Sequence, residues 1–404
     1  MTGDWFQPGK SLRKRRLLAA PQRCLRDRYF RGSEFRRCVK SLTANRSANP
    51  ICRKETRAVL RPATARKPTP SATAIAKPSA GKPHAVRRER NCSVARTLDI
   101  VSDAWAFLII REAFFGTQTF ETFRSALGIP RATLVGRLRK LTQLRIFRQA
   151  ATGSSQRKEY RLTKMGFDLY PSFVALMQFG DRWLAGGKPP PLTLVHMTCG
   201  CESHPIVACS CCGEKVGARD VTFRDGPGAG RHPVKAGRNT RRASEGKRFS
   251  LGRPSSVSRA LEIIGDKWSF MVVREAFFGN RRYDRILTEL SIAPNILTDR
   301  LSRLVAAGVF RKRLYQTAPE RYEYLLTDKG RDLYGPFIAM LRWGDQWLSS
   351  GKPPLLLRHM TCGKDFYASV VCNRCRKPIV AADMQYKLTY DPKSFGALGP
   401  RSIG

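Results

Sequence analysis

The stretch WAFLIIREAFFG, at residues 105–116, recurs almost unchanged as WSFMVVREAFFG at residues 268–279. Eight of the twelve letters are identical, and each of the four changes exchanges small or apolar side chains. In the first copy Trp105, Leu108 and Glu112 fall on one face at the 3.6-residue period of an α-helix. The chain therefore carries one folding unit twice, and each unit contains this tryptophan helix.

The segments around the tryptophan helix predict the same order of elements in both copies. Leucines at an i, i+4, i+7 spacing mark a later amphipathic helix in each copy, IPRATLVGRLRKL at 129–141 and IAPNILTDRLSRL at 292–304. Two strand-like runs and one long helix follow, and the long helix is predicted at Lys164–Ala185 and Lys329–Ser349. Three helices, a β-hairpin and a further helix describe a winged helix-turn-helix. The predicted fold is therefore mainly α with small β-hairpin wings.

The net charge of +43 over 404 residues is the strongest signal in the composition. Residues 1–91 hold 24 Lys and Arg against 5 Asp and Glu, and residues 213–253 hold 11 against 4. Positive charge of this density favours a polyanion, because each neutralised phosphate releases counterions. The composition therefore predicts a nucleic acid as the partner. Residues 1–90 are rich in Arg, Lys, Pro, Ser and Ala, which predicts a disordered basic arm.

Other classes of protein are disfavoured by what the sequence lacks. No apolar run approaches the roughly 18 residues that span a bilayer, and the start MTGDWFQPGKSLRKRR has no apolar core of a secretory signal. The sequence contains no P-loop, nucleophile elbow or paired-carboxylate motif. We therefore expect no membrane association and no enzymatic activity, and we expect a cytoplasmic, nucleoid-associated protein.

Motifs in both copies resemble one family of bacterial winged-helix transcriptional regulators, the HxlR family. The first copy carries NCSVARTLDIV and REAFFG, and the second carries FGNRRYDRI, RLVAAGVF and APERYEYLLTDKG. The resemblance covers about 91–186 and 254–350. It implies a regulator that binds double-stranded DNA and is, by analogy, a repressor. The subunits of such a regulator pair through their first and last helices, and each places one reading helix in a major groove. This chain would then form an intramolecular pseudo-dimer or a homodimer.

The resemblance and the composition together divide the chain into segments. Two winged helix-turn-helix domains are each followed by a small Cys/His-rich hairpin, and a flexible basic linker separates the copies. The predicted boundaries are 1–90 for the arm, 91–187 and 188–217 for the first domain and its hairpin, 218–253 for the linker, 254–350 and 351–384 for the second domain and its hairpin, and 385–404 for the tail.

The helix with the leucine stripe is the predicted reading helix, because the side chains opposite the leucines point away from the core. Arg and Asn among them have the geometry to bind guanine and adenine edges. The outward side chains of the two reading helices barely agree, so we expect a DNA site whose two halves differ. The alternative is that these side chains form ordinary solvated faces that do not bind DNA. The candidate DNA-binding residues are Arg131, Ala132, Thr133, Gly136, Arg139 and Lys140 in the first copy, and Asn295, Thr298, Asp299, Ser302 and Arg303 in the second, with Gln143 and Ile296 beside them.

Charged residues near the reading helices have two further expected roles. Arg137 and Arg300 lie close to the leucine stripe, so we expect them to form ion pairs with Glu112 and Glu275 of the tryptophan helices. The alternative is that each charge reaches solvent through its long side chain. The wings are expected to contact phosphates, which position a protein without reading sequence. The wing residues are Arg157 and Lys158 in the first copy and Arg321 in the second.

Each copy ends in HMTCG followed by a second cysteine pair, which gives H-x2-C, nine residues and C-x2-C. Three thiolates and an imidazole suit tetrahedral zinc, so we predict one ion in each copy and two in all. The alternative is a set of reduced cysteines in a small hairpin, each with an ordinary histidine. The predicted ligands are His196, Cys199, Cys209 and Cys212 in the first copy, and His359, Cys362, Cys372 and Cys375 in the second.

Cys92 stands alone before the first helix, and its counterpart in the second copy is Ser255. The resemblance implies a cysteine at this position that senses electrophiles or oxidants through a thiolate near a helix N-terminus. A small apolar filler is the competing interpretation. The cysteines leave open a redox- or metal-responsive switch of DNA binding, and the charge leaves open a non-specific nucleoid-associated or adaptor protein.

Overall fold

Both copies of the repeat fold into helices, a hairpin and further helices. A computed structural model describes residues 88–152, 155–233 and 253–391, so most of the predicted basic arm and the end of the tail lie outside the described residues. The elements up to the last helix of the first copy are β1 (Arg88–Arg90), α1 (Ser93–Val101), α2 (Ala104–Phe114), α3 (Phe120–Leu127), α4 (Arg131–Gln143), β2 (Phe147–Thr152), β3 (Ser155–Leu162), α5 (Lys164–Phe167) and α6 (Tyr170–Leu184).

Short strands follow each copy, and the second copy repeats the helical order of the first. The strands after the first copy are β4 (Leu192–His196), β5 (Cys201–Ser203), β6 (Ile206–Cys209), β7 (Val221–Asp225) and β8 (Arg231–Pro233). The second copy and its strands are α7 (Ser256–Ile264), α8 (Lys267–Phe277), α9 (Tyr283–Leu290), α10 (Pro294–Ala306), β9 (Phe310–Thr317), β10 (Glu320–Leu326), α11 (Asp328–Asp332), α12 (Tyr334–Leu348), β11 (Leu355–His359), β12 (Lys364–Phe366), β13 (Ala368–Val371) and β14 (Met384–Leu388), with a 3-10 turn at Ala381–Asp383.

The tryptophan helix, α2 or α8, lies at the centre of each folding unit. It begins after an aspartate, Asp103 or Asp266, whose carboxylate accepts a hydrogen bond from a backbone N–H of the first turn. A helix that is apolar on nearly every face belongs in the interior, and α2 is buried along almost its whole length. The reading helices α4 and α10 pack against the core with the predicted leucines, which are buried, and this confirms a helix-turn-helix in each copy. These leucines are Leu134, Leu138, Leu141, Leu297, Leu301 and Leu304.

The single long helix predicted at Lys164–Ala185 and Lys329–Ser349 is wrong in both copies. Each segment forms a short helix, α5 or α11, and then a longer one, α6 or α12. Pro171 and Pro336 lie in the first turn of the longer helices. Proline has no N–H to donate, so it is tolerated in a first turn but breaks a helix interior. No helix in the described part of the chain is both long and apolar enough to cross a bilayer.

The two copies pack against each other through their first and last helices. Helix α1 of the first copy crosses α12 of the second, and α7 crosses α6. Gly344 and Gly180 lie at these crossings, where an added Cβ would be 2.5 Å from the Ser93 carbonyl oxygen and 2.1 Å from that of Ser256. Glycine alone permits backbones to approach this closely. The pairing expected between subunits is therefore formed within one chain.

Beyond the last helix of each copy, strands pair across the copies. Strand β4 pairs with β14, which sets His196 opposite Met384, and β11 pairs with β7, which sets His359 opposite Val221. Strand β6 pairs with β13, and all three pairings are antiparallel. The sheets have the orders β14-β4-β5, β12-β11-β7 and β13-β6. Two separate Cys/His-rich hairpins, one for each copy, are therefore not confirmed, because the segments share their sheets.

Candidate DNA interface and metal clusters

Reading helix α4 exposes the face opposite its leucines. Arg139 and Lys140 are exposed, and the Arg131 guanidinium lies 5.4 Å from the centroid of the Phe120 ring. Sequence reasoning missed Val135, which is 40% exposed although it is a branched apolar residue. An apolar side chain on such a face can contact a thymine methyl group. Among the other candidates, Ala132, Gly136 and Gln143 are exposed, whereas Thr133 is half-buried.

Reading helix α10 presents a different surface. Asp299 accepts a hydrogen bond from Nε of Arg303 at 3.1 Å, and it also pairs with Arg300. The Thr298 hydroxyl donates to the Pro294 carbonyl oxygen at 3.0 Å. One acidic group thus binds two of the basic groups on this helix. Asn295 and Ser302 are exposed, whereas Ile296 is half-buried.

The ion pairs predicted for Arg137 with Glu112 and for Arg300 with Glu275 are wrong. Arg137 donates to both carboxylate oxygens of Asp103, at 2.7 Å each. Arg300 donates through Nε to Asp266 at 2.8 Å. The two aspartates are the N-caps of the tryptophan helices, whereas the glutamates lie near the other end. Helical periodicity identifies a face, but it does not show where along the axis a second helix crosses.

The two glutamates instead belong to buried networks. Glu112 accepts hydrogen bonds from Arg111 at 2.7 Å and from Arg253 at 2.8 Å. Arg253 is only 3% exposed. Glu275 accepts from its neighbour Arg274 and from the side-chain amide of Asn280 at 2.7 Å. These carboxylates are thereby compensated where water cannot reach them.

The wings carry basic side chains beside the reading helices. Lys158 and Arg321 are exposed, whereas the side chain of Arg157 lies outside the described part. Strand β9 adds a run that sequence reasoning missed, although FRKR is visible as a basic cluster. Its exposed members are Arg311, Lys312 and Arg313.

The Cys/His residues form two clusters, and each cluster takes residues from both copies. The prediction of one ligand set within each copy is wrong, because the shared strands bring the H-x2-C pair of one copy to the C-x2-C pair of the other. Within a cluster the candidate ligand atoms all lie within 4.8 Å of one another. Cluster A contains His196, Cys199, Cys372 and Cys375, and cluster B contains His359, Cys362, Cys209 and Cys212.

The spacing within cluster A suits one tetrahedral ion. The Cys199 and Cys372 sulfurs are 3.9 Å apart. Nδ1 of His196 lies 3.5 Å from the Cys199 sulfur and 3.2 Å from the Cys375 sulfur. Zinc bound to sulfur at about 2.3 Å and to nitrogen at about 2.0 Å sets its ligands roughly 3.5–3.8 Å apart. The observed separations fall near these values.

Cluster B has matching dimensions. The Cys209 and Cys362 sulfurs are 3.9 Å apart, and the Cys212 sulfur lies 3.3 Å from Nδ1 of His359. A backbone N–H donates to one sulfur of each C-x2-C pair, from Cys211 to Cys209 at 3.3 Å and from Arg374 to Cys372 in cluster A at 3.4 Å. Such donors favour the thiolate that a metal requires.

Local contacts favour an ionised thiol at one cysteine of each cluster, whereas the pKa of another, Cys375 or Cys212, is raised because a backbone N–H donor is outweighed by burial and the neighbouring thiols. Burial raises the pKa of Cys372, but the Ser203 hydroxyl and backbone N–H groups outweigh it and lower that pKa to about 6. The backbone N–H of Lys364 contributes most to lowering the pKa of Cys362 to about 7. Nε2 of His196 lies 2.9 Å from the Asp383 carboxylate, but the two groups are not aligned for a hydrogen bond. A carboxylate behind a histidine is a common outer partner of a metal ligand.

Within the described residues, three further cysteines lie outside these clusters. Cys201 and Cys211 are exposed, in accord with their omission from the predicted ligand set. Cys92 is the N-cap residue of α1, is 8% exposed and lies beside the Arg274 guanidinium. At the equivalent position Ser255 caps α7 by accepting a hydrogen bond from the Ser258 N–H. Thiol sensing by Cys92 stays a prediction.

Two helix-turn-helix units with basic wings, joined in one chain, define the class of DNA-binding transcriptional regulators. The model of the HxlR-like helix-turn-helix family matches residues 100–188 and 263–352. The chain is 47% identical over 137 residues to an uncharacterized HTH-type transcriptional regulator of Mycobacterium tuberculosis, a match that covers 34% of this chain and 87% of the relative. The chain belongs to the HxlR-like helix-turn-helix family.

Two other proteins extend the comparison. An uncharacterized HTH-type transcriptional regulator of Synechocystis is 35% identical over 101 residues, which are 25% of this chain and 75% of the relative. A solved structure of a candidate transcription factor from Pseudomonas aeruginosa is 33% identical and covers 30% of this chain and 74% of its own, with a TM-score of 0.21. Each of these matches spans about the length of one copy.

Proposed function

We propose that this protein is a transcriptional repressor that binds one asymmetric duplex site as a single chain. The observation that carries the proposal is the pairing of α1 with α12 and of α7 with α6. This pairing joins two reading helices into one body, as a helix-turn-helix dimer does when it spans adjacent major grooves. A promoter occupied in this way is closed to other proteins.

The reading surfaces support recognition of two different half-sites. Arg139 in α4 corresponds to Ser302 in α10, and Gly136 corresponds to Asp299. An arginine can bind guanine with two hydrogen bonds, whereas a serine cannot. Asp299 can accept from a cytosine amino group, but it first has to release Arg303, with which it pairs at 3.1 Å. The two halves of the site would therefore differ in sequence.

Selection of bound sequences from a random duplex pool, followed by footprinting, tests this proposal. We expect one protected site without inverted symmetry that persists at about 200 mM salt. Arg139→Glu and Arg303→Glu should each weaken binding to that site by at least about 10-fold and relax preference in one half only. Arg219→Glu, which reverses an exposed charge beyond the helical part of the copy, is the matched control.

Two outcomes would contradict specific recognition. Unchanged sequence preference in both reading-helix variants would show that α4 and α10 do not read bases. Affinity that collapses equally on every sequence as salt rises would show binding by charge alone, the behaviour of a nucleoid-associated protein.

We further propose that clusters A and B each bind one zinc ion, for which their ligand types and separations give the support. Each ion would join strands of both copies and so stabilise the pairing of the repeats. We expect two zinc equivalents in purified protein, measured by mass spectrometry of the released metal. Cys372→Ser should lower this to one, whereas Cys201→Ser, which changes a cysteine outside the clusters, should leave two. Protein that keeps its stability and its fold in chelator would contradict a structural ion.

A further inference from the structure

A cavity of about 200 Å³ lies where the two copies meet. One side is formed by aromatic residues of α8, its C-terminal cap and α12, namely Phe277, Phe278, Tyr334 and Phe337. The opposite side comes from the first copy and includes Val94 of α1. An apolar cavity of about 150 Å³ is large enough to hold benzene. This cavity therefore has room for an aromatic ring with a substituent.

One polar group that lines this cavity is a buried arginine with an unused donor. Arg274 is 5% exposed, and its Nε and Nη2 donate to Glu275. Its Nη1 is buried and makes no hydrogen bond within the described residues, although the Cys92 thiol lies beside the guanidinium. A buried donor left without an acceptor is destabilising, because it has lost its hydrogen bond to water. An occupant that brings an acceptor to Nη1 would remove this cost.

The groups around the cavity favour an occupant that accepts hydrogen bonds over a cation. Three arginines line it, Arg90, Arg231 and Arg274, but Arg231 donates to Glu289 at 2.6 Å and Arg90 lies 4.0 Å from Asp225. The nearby Glu275 does not offer an oxygen to a cation, because Arg274 and Asn280 already donate to it. The unmatched group is an N–H of a cationic guanidinium, and a carboxylate, which is an anion and accepts hydrogen bonds, fits it.

The equivalent place in the first copy is partly filled by the chain itself. There the cavity is only about 70 Å³. The Arg253 guanidinium lies 4.1 Å from the centroid of Phe115, one wall of this smaller cavity, and donates to Glu112. Its counterpart Arg90 lies 5.4 Å from Phe278 and has a side chain that is 39% exposed. The sequence therefore makes one cavity small and leaves the other large enough for an aromatic ligand.

We propose that the open cavity between the copies binds a small aromatic carboxylate, with the ring among the phenylalanines and the carboxylate on Nη1 of Arg274. The occupant would touch α1 of the first copy and α8 and α12 of the second. It would thereby bias how the copies sit against each other, and so act as an effector of DNA binding. This last step rests on the proposed function, whereas occupancy of the cavity does not.

Calorimetry on the full chain without DNA tests occupancy, with benzoate, 2-naphthoate, neutral benzamide and cationic benzylamine as probes. We expect at least one carboxylate to bind with one site per chain, and at least about 10-fold more tightly than benzamide or benzylamine. Arg274→Gln should remove that preference. Val94→Phe should block binding by filling the cavity, whereas Val257→Phe, at the equivalent position beside the smaller cavity, should leave it intact.

The outcomes separate clearly. No binding by either carboxylate, or equal affinity for benzoate and benzamide, would overturn the proposal. Carboxylate binding that survives Val94→Phe would place the ligand elsewhere, and this variant decides the matter if Arg274→Gln fails to fold. A bound carboxylate should change the affinity for the selected duplex by at least about 5-fold. Unchanged DNA affinity would remove the effector role while the binding site stands.

Discussion

Replacement of Gly344 by alanine should loosen the pairing of the two copies. The added Cβ would lie 2.5 Å from the Ser93 carbonyl oxygen and 2.7 Å from the Thr97 hydroxyl, both on the opposing helix. An ordinary contact begins near 3.4 Å, so α1 and α12 would have to separate by about 0.9 Å. The nearest atom belongs to the backbone, and it therefore cannot be relieved by a change of rotamer.

The expected loss follows from opposing contributions. Overpacking of this kind costs about 1–3 kcal/mol. The same separation would break the hydrogen bond from Thr97 to the Met340 carbonyl, now 3.2 Å long, at about 1 kcal/mol. Alanine is better than glycine in a helix by about 1 kcal/mol. The free energy of unfolding of Gly344→Ala should therefore fall by about 1–3 kcal/mol.

Urea unfolding followed by circular dichroism measures this difference. Gly136→Ala is the matched control, because its Cβ meets nothing within 4 Å and the change should raise stability by up to about 1 kcal/mol. If Gly344→Ala were as stable as the original chain, or shifted in the same direction as Gly136→Ala, the close approach of α1 and α12 would be refuted.

Two further predictions concern aspartates. Burial raises the pKa of Asp345 to about 6, so its folded-state pKa lies above the unfolded value. The free energy of unfolding should therefore fall by up to about 3 kcal/mol as pH rises from 4 to 6. Asp345→Asn should flatten the dependence of Tm on pH in this window, and parallel curves for the two proteins would contradict the prediction. Asp103→Ala and Asp266→Ala each remove a helix cap, but Arg137 then lacks its carboxylate whereas Arg300 keeps a second one. Asp103→Ala should lower the free energy of urea unfolding by about 1 kcal/mol more than Asp266→Ala, and equal losses would argue against this difference.

The helical part of each copy could be predicted because its signals are local. The leucine stripe of α4 repeats at the period of a helix, and all three leucines are at most 1% exposed. The break before α6 was also readable in principle, since Pro171 removes a donor that a continuous helix needs. A strong apolar pattern on both sides of the proline hid this signal.

The contacts that join the copies could not be predicted, because they depend on long-range geometry. The spacing of His196 and Cys199 shows that they form a pair, but only the pairing of β4 with β14 and of β6 with β13 shows that Cys372 completes their cluster. In the same way, the choice of Asp103 by Arg137 depends on where two helices cross. Val135 was missed because an apolar letter on a helix is ordinarily assigned to the core.

The shared sheets have an evolutionary consequence. A regulator assembled from identical subunits alters both of its recognition surfaces with every mutation, and each new subunit is free to mix with related proteins in the cell. In this chain each half is covalently linked to its partner, and strands from the two halves pair with each other. Because the two reading helices are encoded separately, a mutation in one leaves the other unchanged, and α4 and α10 already differ at most of their outward positions.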